Sequence, residues 1–273
     1  MITHVNCQVK DEAILLDHVL PFWQEYPVDE FVFLNDHSTD NTVDVIGNYL
    51  GNEATVLTPT TEKFHEAKNR SAMLEYSRDA GADVVISLDA DELLSLSFLN
   101  HFDWVMHEAL DLRIFLYQYN VVGSMNKIRQ DPAYINNFRD FLFPLKHTGT
   151  FDESQDRYHT PRTPPITLPD VPLKDCGFIH LQAINVRFYA IKQLWYKVFE
   201  YKEYGKSVNQ INDAYDSVVN GLKFDEIDTP QNIVGDWQFD SSVFDEILEQ
   251  RKYLDYIKEY GVEELFTFGK EYF

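Results

Sequence analysis

The chain has 273 residues, of which 44% are hydrophobic and 15% aromatic, so it can form one large or two modest domains with a substantial core, and disorder is excluded. Its 23 Lys and Arg residues against 45 Asp and Glu give a net charge of -22. Such a field repels nucleic acid and anionic membranes, so nucleic acid is not expected as a partner. A small anionic substrate would need a bound metal ion to offset the repulsion locally.

The first half of the chain alternates between two hydrophobic periodicities. Short segments of strand-like composition predict strands over residues 3–9, 30–34, 54–57 and 83–88. Apolar residues at helical spacing, as in Leu15, Val19 and Phe22, predict a helix that ends before Pro27, with further helices over 43–50 and 64–80. This alternation predicts a parallel sheet with helices on both faces.

The apolar run 84–88 leads directly into Asp89, Asp91 and Glu92. Ligands of open α/β sheets bind at the carboxyl ends of the strands, and carboxylates one residue apart carry oxygens suited to a hard divalent cation. Such a cation commonly keeps waters and shares the phosphates of a substrate. Asp is also common in turns, so the residues alone leave open whether these acids bind a metal or only turn the chain.

The second half is less regular. A strand is predicted over 113–122, a further strand over 138–145, and a short strand over 176–181 that carries His180. The stretch 146–172, dense in Pro, Thr, His and Asp, is too long for an ordinary connection and predicts a binding loop or lid. From residue 186 onward the pattern is helical, and its aromatic stripe predicts core packing rather than a cofactor site.

The two cysteines, Cys7 and Cys176, show no spacing typical of a zinc site or a disulfide framework, which favours reduced thiols in a cytoplasmic setting. No run approaches the roughly 20 apolar residues that span a bilayer, and the N-terminus has no long apolar segment. Any association with a membrane is therefore expected to be peripheral.

Three motifs follow one another in the first hundred residues. The first strand ends in Asn-Cys-Gln-Val-Lys-Asp-Glu (6–12), and residues 35–42 are Asn-Asp-His-Ser-Thr-Asp-Asn-Thr. Asp89-Ala90-Asp91 comes after a predicted helix that contains Ala-Lys-Asn (67–69). In this order the motifs resemble those of the nucleotide-sugar glycosyltransferases of the GT-A fold, family 2 in particular. The family has a similar opening strand, an Asp-Asp-x-Ser-x-Asp-x-Thr whose first acid is replaced here by Asn35, and a metal-binding Asp-x-Asp behind an Ala-Arg-Asn.

The resemblance implies an α/β, GT-A (Rossmann-like), mostly parallel sheet flanked by helices, with a C-terminal helical extension. We expect a catalytic domain over 1–185 and a helical extension over 186–273 that packs on it. The segments 157–164 and 192–196 add a resemblance to a subgroup of bacterial-type surface-glycan transferases. The expected function is therefore metal-dependent transfer of a sugar from a nucleoside-diphosphate donor to the hydroxyl of a glycan or similar acceptor, in surface polysaccharide or glycoconjugate synthesis.

The resemblance also implies roles for single residues. Mn²⁺ or Mg²⁺ would be held by Asp89, Asp91 and His180, although a histidine after a strand is otherwise most often a core or surface residue. Asp36 would contact the nucleobase or ribose, and Lys68 the base or phosphate, unless Lys68 is only a solvated helix cation. The full set of expected nucleotide-sugar contacts is Val9, Lys10, Glu12, Asp36, Ser38, Lys68, Asp89, Ala90, Arg157 and Arg162.

Family 2 enzymes invert the anomeric centre, which requires a carboxylate to take a proton from the acceptor hydroxyl. Asp156 is the first candidate because it precedes the family-like run that begins at Arg157, and Glu153 and Asp152 are the alternatives. Arg157 and Arg162 are expected to contact the diphosphate, because an arginine fork matches phosphate oxygens.

Two other functions compete with this interpretation. A sugar-phosphate nucleotidyltransferase would carry a Gly-rich loop after the first strand to hold a triphosphate, and the segment from Cys7 to Glu12 contains no Gly. A catalytically degenerate domain that binds a glycan or a partner protein is also possible, but the intact Asp89 and Asp91 argue against it.

Overall fold

A computed structural model describes residues 1–59, 61–132, 134–154 and 160–272, apart from the side chain of Asn220. It divides the chain into two compact units, one made of residues 1–118 with 138–179 and the other of 119–137 with 180–273. The division predicted at residue 185 remains a prediction.

The first half of the chain contains the following elements in order: β1 (Thr3–Val9), α1 (Ala13–Trp23), β2 (Glu30–Asn35), α2 (Thr42–Leu50), β3 (Ala54–Leu57), α3 (Glu66–Asp79), β4 (Val84–Ser87), β5 (Glu92–Leu94), α4 (Leu96–Asn100), α5 (Phe102–Glu108), β6 (Arg113–Val122) and β7 (Ser124–Arg129). The second half contains β8 (Phe138–Arg139), β9 (Leu142–Pro144), β10 (Asp170–His180), α6 (Val186–Tyr204), α7 (Val208–Val219), β11 (Glu226–Asp228), α8 (Gln231–Val234), α9 (Val243–Arg251) and α10 (Tyr253–Tyr260).

The first unit is built on a five-stranded sheet in the order β3-β2-β1-β4-β9. The first four strands are parallel, and β9 adds to β4 in the antiparallel direction. Val5 of β1 lies opposite both Phe31 of β2 and Ile86 of β4, and all three side chains are buried. This arrangement confirms the predicted mostly parallel α/β sheet, whose central strands β1 and β4 are largely buried along their length.

Helix α1 packs on this sheet through Trp23, which has no exposed surface. The Trp23 ring lies nearly parallel to the rings of Phe31 and Phe33, each with its centroid 6.0 Å away. The indole thus joins α1 to β2 within one apolar layer. The helix ends at Trp23, four residues before the Pro27 that was expected to end it.

Two predictions for the middle of the chain were wrong in detail. Residues 138–145 form two short strands instead of one, because the chain changes partner: β8 pairs with β6, and β9 pairs with β4. The predicted loop 146–172 is also too long, since β10 already begins at Asp170. Most of the first six residues of β10 are exposed, so no apolar run marks the beginning of the strand. Within the first unit β10 lies between β6 and β5.

The second unit contains the end of β6, which pairs with β7, and β11, which pairs with the other edge of β7. Its longest helix, α6, begins at an Asn185 side chain that accepts the Phe188 backbone N–H at 2.9 Å, and it ends at Gly205 in the left-handed conformation. The predicted helical C-terminal region is thus confirmed. In the part of the chain described, no helix is both long and apolar enough to cross a membrane.

Candidate functional site

The loops after β1 and β2 are fastened to each other at the carboxyl edge of the sheet. The backbone N–H of Asp11 donates to Ser38 Oγ at 2.9 Å, and that of Glu12 donates to Thr42 Oγ1 at 2.9 Å. In return, Asp11 Oδ1 accepts the backbone N–H of Thr39 at 2.6 Å. The polar residues of the 35–42 motif therefore fix the shape of the loop that follows β1, and Ser38 has this structural role in addition to any contact with a ligand.

Asp36, the first residue after β2, is fully buried. Its backbone N–H donates to the carbonyl of Val9 at 2.8 Å, which extends the pairing of the two strands. Within the described part of the chain, neither of its carboxylate oxygens accepts a hydrogen bond. Burying a polar group without a partner is costly, so Asp36 is suited to a ligand that brings its own donor.

The residues after β4 form what we call the acidic turn, residues 89–92. The backbone N–H of Asp89 donates to Glu92 Oε2 at 2.9 Å, and the N–H of Glu92 donates back to the Asp89 carbonyl at 3.1 Å. The Trp23 indole N–H donates to the Glu92 carbonyl at 3.0 Å, so the turn is also tied to the core. Glu92 is fully buried and Asp91 is 7% exposed, whereas the Asp89 side chain is 45% exposed.

Arg162 is the counter-ion of the acidic turn. Its Nη1 donates to Glu92 Oε2 at 2.5 Å, and its Nη2 forms an ion pair with Asp89. Burial acts to lower the pKa of Arg162, but the charges of Asp89, Glu92 and Asp91 outweigh it and raise the pKa. The guanidinium is therefore a permanent cation bridging two of the three acids. It was expected to contact a diphosphate, and nothing local in the sequence pairs it with these carboxylates.

The pKa of the Cys7 thiol is affected by the acids at this edge of the sheet. Burial raises its pKa well above the ordinary value, and the negative charges of Asp89, Glu12, Glu92 and Asp91 raise it further. Cys7 is therefore a neutral thiol, mainly because it is buried.

A second ion pair lies under this edge and was not singled out from the sequence. Arg70 Nη2 lies 2.6 Å from Glu66 Oε1, and Arg70 Nη1 donates to Ser87 Oγ at the end of β4 at 3.4 Å. The other oxygen of Glu66 accepts the backbone N–H of Thr160 at 3.0 Å. Glu66 and Arg70 thus connect α3, β4 and the chain segment that carries Arg162. Their i, i+4 spacing is visible in the sequence, although their burial is not.

A divalent cation would find oxygen donors in the acidic turn. Among the described residues, no three His, Cys, Asp or Glu side chains are grouped so as to hold a metal ion by themselves. Asp89 and Asp91 nevertheless fit Mg²⁺ or Mn²⁺, because such ions are commonly bound by one or two carboxylates, with waters and substrate phosphates as the remaining ligands. The metal site itself remains a prediction.

Other residues expected at the site lie on the same loops or nearby. Val9 and Ala90 are buried and can offer only their backbone, whereas Lys10 is exposed on the loop after β1. Lys68 is half-buried in the first turn of α3, where its backbone N–H donates to the side chain of His65 at 3.4 Å. No described contact distinguishes a ligand-binding Lys68 from a solvated one.

His180 is the last residue of β10 and belongs to the second unit, where its Nδ1 lies 2.9 Å from Asn120 Oδ1. Of the candidate bases, Asp152 accepts hydrogen bonds from the N–H and hydroxyl of Ser154, and Glu153 is exposed. Asp156 and Arg157 lie outside the described residues. The roles of these five candidates remain predictions.

The family model described as glycosyl transferase family 2 matches residues 13–109, a segment that includes β2, β3, β4 and the acidic turn. The matched segment contains the second and third of the three motifs and belongs to the family that those motifs resemble. Among curated proteins, no sequence matches this chain.

Several solved structures are similar to this chain. TarS of S. aureus, residues 1–349, is 15% identical with a TM-score of 0.48 over 71% of this chain and 66% of that chain. The same protein in complex with UDP-GlcNAc is 13% identical with a TM-score of 0.48 over 95% of this chain and 80% of that chain. The mannosyltransferase PcManGT from Pyrobaculum calidifontis, in complex with GDP-Man and Mn²⁺, is 19% identical with a TM-score of 0.43 over 72% of this chain and 61% of that chain. This chain thus spans just under two thirds of the first of these structures.

Proposed function

We propose that this chain, whose residues 13–109 match glycosyl transferase family 2, moves a sugar from a nucleoside-diphosphate donor to a hydroxyl of a glycan or glycoconjugate. The observation that carries the proposal is the acidic turn, which follows the buried strand β4 inside the matched segment. Carboxylates at the carboxyl end of a parallel strand stand where ligands of open α/β sheets bind. Surface polysaccharide synthesis is the process we propose for this activity.

Donor recognition is assigned to the loops after β1 and β2. Asp36 is a buried carboxylate that accepts no hydrogen bond within the described part of the chain, and a nucleobase N–H or ribose hydroxyl would supply the missing donor. The mutual hydrogen bonds between Asp11 and the residues that follow Asp36 hold both loops in place before a donor binds. Such preorganisation reduces the entropy lost on binding.

Asp91 and Asp89 would hold Mn²⁺ or Mg²⁺. When bound there, the metal ion acts as a Lewis acid that stabilises the negative charge developing on the leaving diphosphate. Arg162 is paired with Asp89 and can donate to phosphate oxygens through its planar fork. The protein thus supplies the carboxylates for the cation and a guanidinium for the anion.

We further propose that transfer inverts the anomeric centre and that Asp156 takes the proton of the acceptor hydroxyl, with Glu153 and Asp152 as the alternatives. A single in-line displacement needs a base on the face of the sugar opposite the leaving diphosphate. The support for Asp156 comes from its position in the sequence next to the family-like run that begins at Arg157. The buried, unpaired thiols of Cys7 and Cys176 agree with a cytoplasmic setting, and we propose that any association with a membrane is peripheral.

A panel of sugar nucleotides tests this function. UDP-GlcNAc and GDP-mannose are the first donors to test, because similar structures contain them, and each is added with Mn²⁺. A donor should raise the melting temperature, since it binds only the folded state, and should then be hydrolysed slowly or transferred. If a donor binds but none is hydrolysed or transferred, even when glycan and glycoconjugate acceptors are supplied, the result would instead support a catalytically degenerate binding domain.

A further inference from the structure

Arg162 forms an ion pair with Oδ2 of Asp89, one of the carboxylate oxygens that could ligate a metal ion. The Asp89 side chain is 45% exposed and that of Arg162 is 24% exposed, so their contact faces solvent. The contact between Arg162 and Glu92 is different, because the Glu92 carboxylate has no exposed surface. The Arg162 guanidinium thus bridges the Glu92 carboxylate, which is inaccessible to solvent, and the Asp89 carboxylate, which is exposed to it.

The backbone on both sides of Arg162 is fixed. Two residues before it, the N–H of Thr160 donates to Glu66 Oε2 at 3.0 Å. One residue after it, the hydroxyl of Thr163 donates to the carbonyl of Asp140. A rotation of the long Arg162 side chain can therefore release Asp89 without opening the chain segment, and rotamer changes of this kind are fast.

The charges give the reason for such a rotation. The three carboxylates of the acidic turn against one guanidinium leave two negative charges in excess, which a divalent cation would neutralise. With the cation on Asp89, the guanidinium loses its outer partner and is repelled by the metal. A diphosphate is the ligand that suits both the released guanidinium and the metal ion.

We propose that Arg162 is a built-in counter-ion of the acidic turn that moves from Asp89 to the donor diphosphate when the metal ion binds. The inference rests on the proposed function, since it requires a cation and a nucleoside diphosphate at this turn. It makes Arg162 a competitor of the metal in the free protein and a partner of the metal once the nucleotide is present. Metal and nucleotide therefore bind cooperatively, and Arg162 is the residue that couples them.

The experiment measures Mn²⁺ binding to the full chain through the electron paramagnetic resonance signal of free Mn²⁺, first with Mn²⁺ alone and then with UDP or GDP. The variants are Arg162→Ala and Arg162→Gln. Arg139→Ala is the matched control, because Arg139 is an exposed arginine of the same unit whose side chain contacts Gln118 rather than the acids. Circular dichroism verifies that each variant is folded.

We expect both Arg162 variants to bind Mn²⁺ alone about 10-fold more tightly than the wild type, which corresponds to about 1.4 kcal/mol. The gain in Mn²⁺ affinity that the nucleotide produces should fall by a similar factor, whereas Arg139→Ala should leave both values unchanged. Unchanged or weaker binding of Mn²⁺ alone by the two variants would overturn the counter-ion role while leaving the proposed function intact. If the wild type binds no Mn²⁺ even in the presence of UDP or GDP, both the counter-ion role of Arg162 and the proposed metal-dependent function would be overturned.

Discussion

The buried ion pair between Glu66 and Arg70 permits a quantitative test of how the edge of the sheet is held together. Glu66→Gln leaves the guanidinium of Arg70, whose side chain is 9% exposed, without a carboxylate. The pair has the i, i+4 spacing of surface helix pairs, which contribute about 0.3–0.5 kcal/mol. Breaking a buried pair by removing one partner instead costs about 3–5 kcal/mol, because a desolvated charge is left behind. Because both side chains of this pair are buried, the larger value applies, and we expect Glu66→Gln to lower the free energy of unfolding by about 3 kcal/mol.

Urea denaturation followed by tryptophan fluorescence measures the free energy of unfolding for Glu66→Gln, Arg70→Met and the double variant. Each single variant should lose about 3 kcal/mol, whereas the double variant, which contains no buried charge, should lose less than either. Glu75→Gln, on the exposed face of the same helix, is the control and should change the stability by less than about 0.5 kcal/mol. Single losses below about 1 kcal/mol, or a double variant that loses the sum of both, would refute the reasoning.

Three further predictions concern the base, the pH dependence and the core. Asp156→Asn should slow transfer by a factor of about 10²–10⁴, whereas Glu153→Gln should leave the rate unchanged. The anomeric coupling of the product, measured by NMR, should show inversion. A product with the anomeric configuration of the donor would rule the mechanism out. Burial lowers the pKa of His4 below its ordinary 6.5, although the charges of nearby acids act in the opposite direction. Just below pH 6.5 the unfolded chain therefore binds more protons at His4 than the folded chain does. Stability should therefore fall as the pH drops through that range, and His4→Gln should flatten the dependence of the urea midpoint on pH. Trp23→Phe should cost about 2 kcal/mol, because it leaves a small cavity and removes the hydrogen bond to the Glu92 carbonyl; a melting temperature equal to that of the wild type would contradict this.

The sheet could be predicted from the sequence because its signals are local. The apolar run of β4 and the helical spacing of Leu15, Val19 and Phe22 are each contained in a few neighbouring residues. The polar residues at the ends of β2 and β4 follow their strands directly, so their meeting at one edge of a parallel sheet follows from the topology. The topology thus accounts for the acids at the strand ends, whereas the roles expected of the motif residues came from the resemblance to family 2.

The strands after α5 that went unpredicted lack such local patterns. All three residues of β11 are exposed, so no apolar alternation marks it. Strand β7 contains Asn126 and Lys127 among its six residues and resembles a loop in composition. Both strands form because an existing edge offers backbone hydrogen bonds, and a sequence pattern does not record that.

The least predictable feature of the site is the pairing of Arg162 with Asp89 and Glu92. The residues are 73 and 70 positions apart in the chain, and the arginine lies in a stretch with no periodicity. Its partners are decided by where Thr160 and Thr163 fasten the backbone. Long-range pairing of this kind depends on the assembled fold, so the sequence alone could indicate only that an arginine was available for an anion.

The central claim is that the acidic turn carries a metal-dependent glycosyltransferase activity. The measurement that tests it most directly is the Mn²⁺-dependent release of nucleoside diphosphate from the donor that the panel identifies, in the wild type, in Asp91→Ala and in the control Asp103→Ala, whose aspartate is exposed on α5. We predict that the wild type and Asp103→Ala lose their activity in EDTA and regain it with Mn²⁺. Asp91→Ala should be folded and inactive under both conditions, and turnover by this variant at the wild-type rate, or full wild-type activity in EDTA, would contradict the claim.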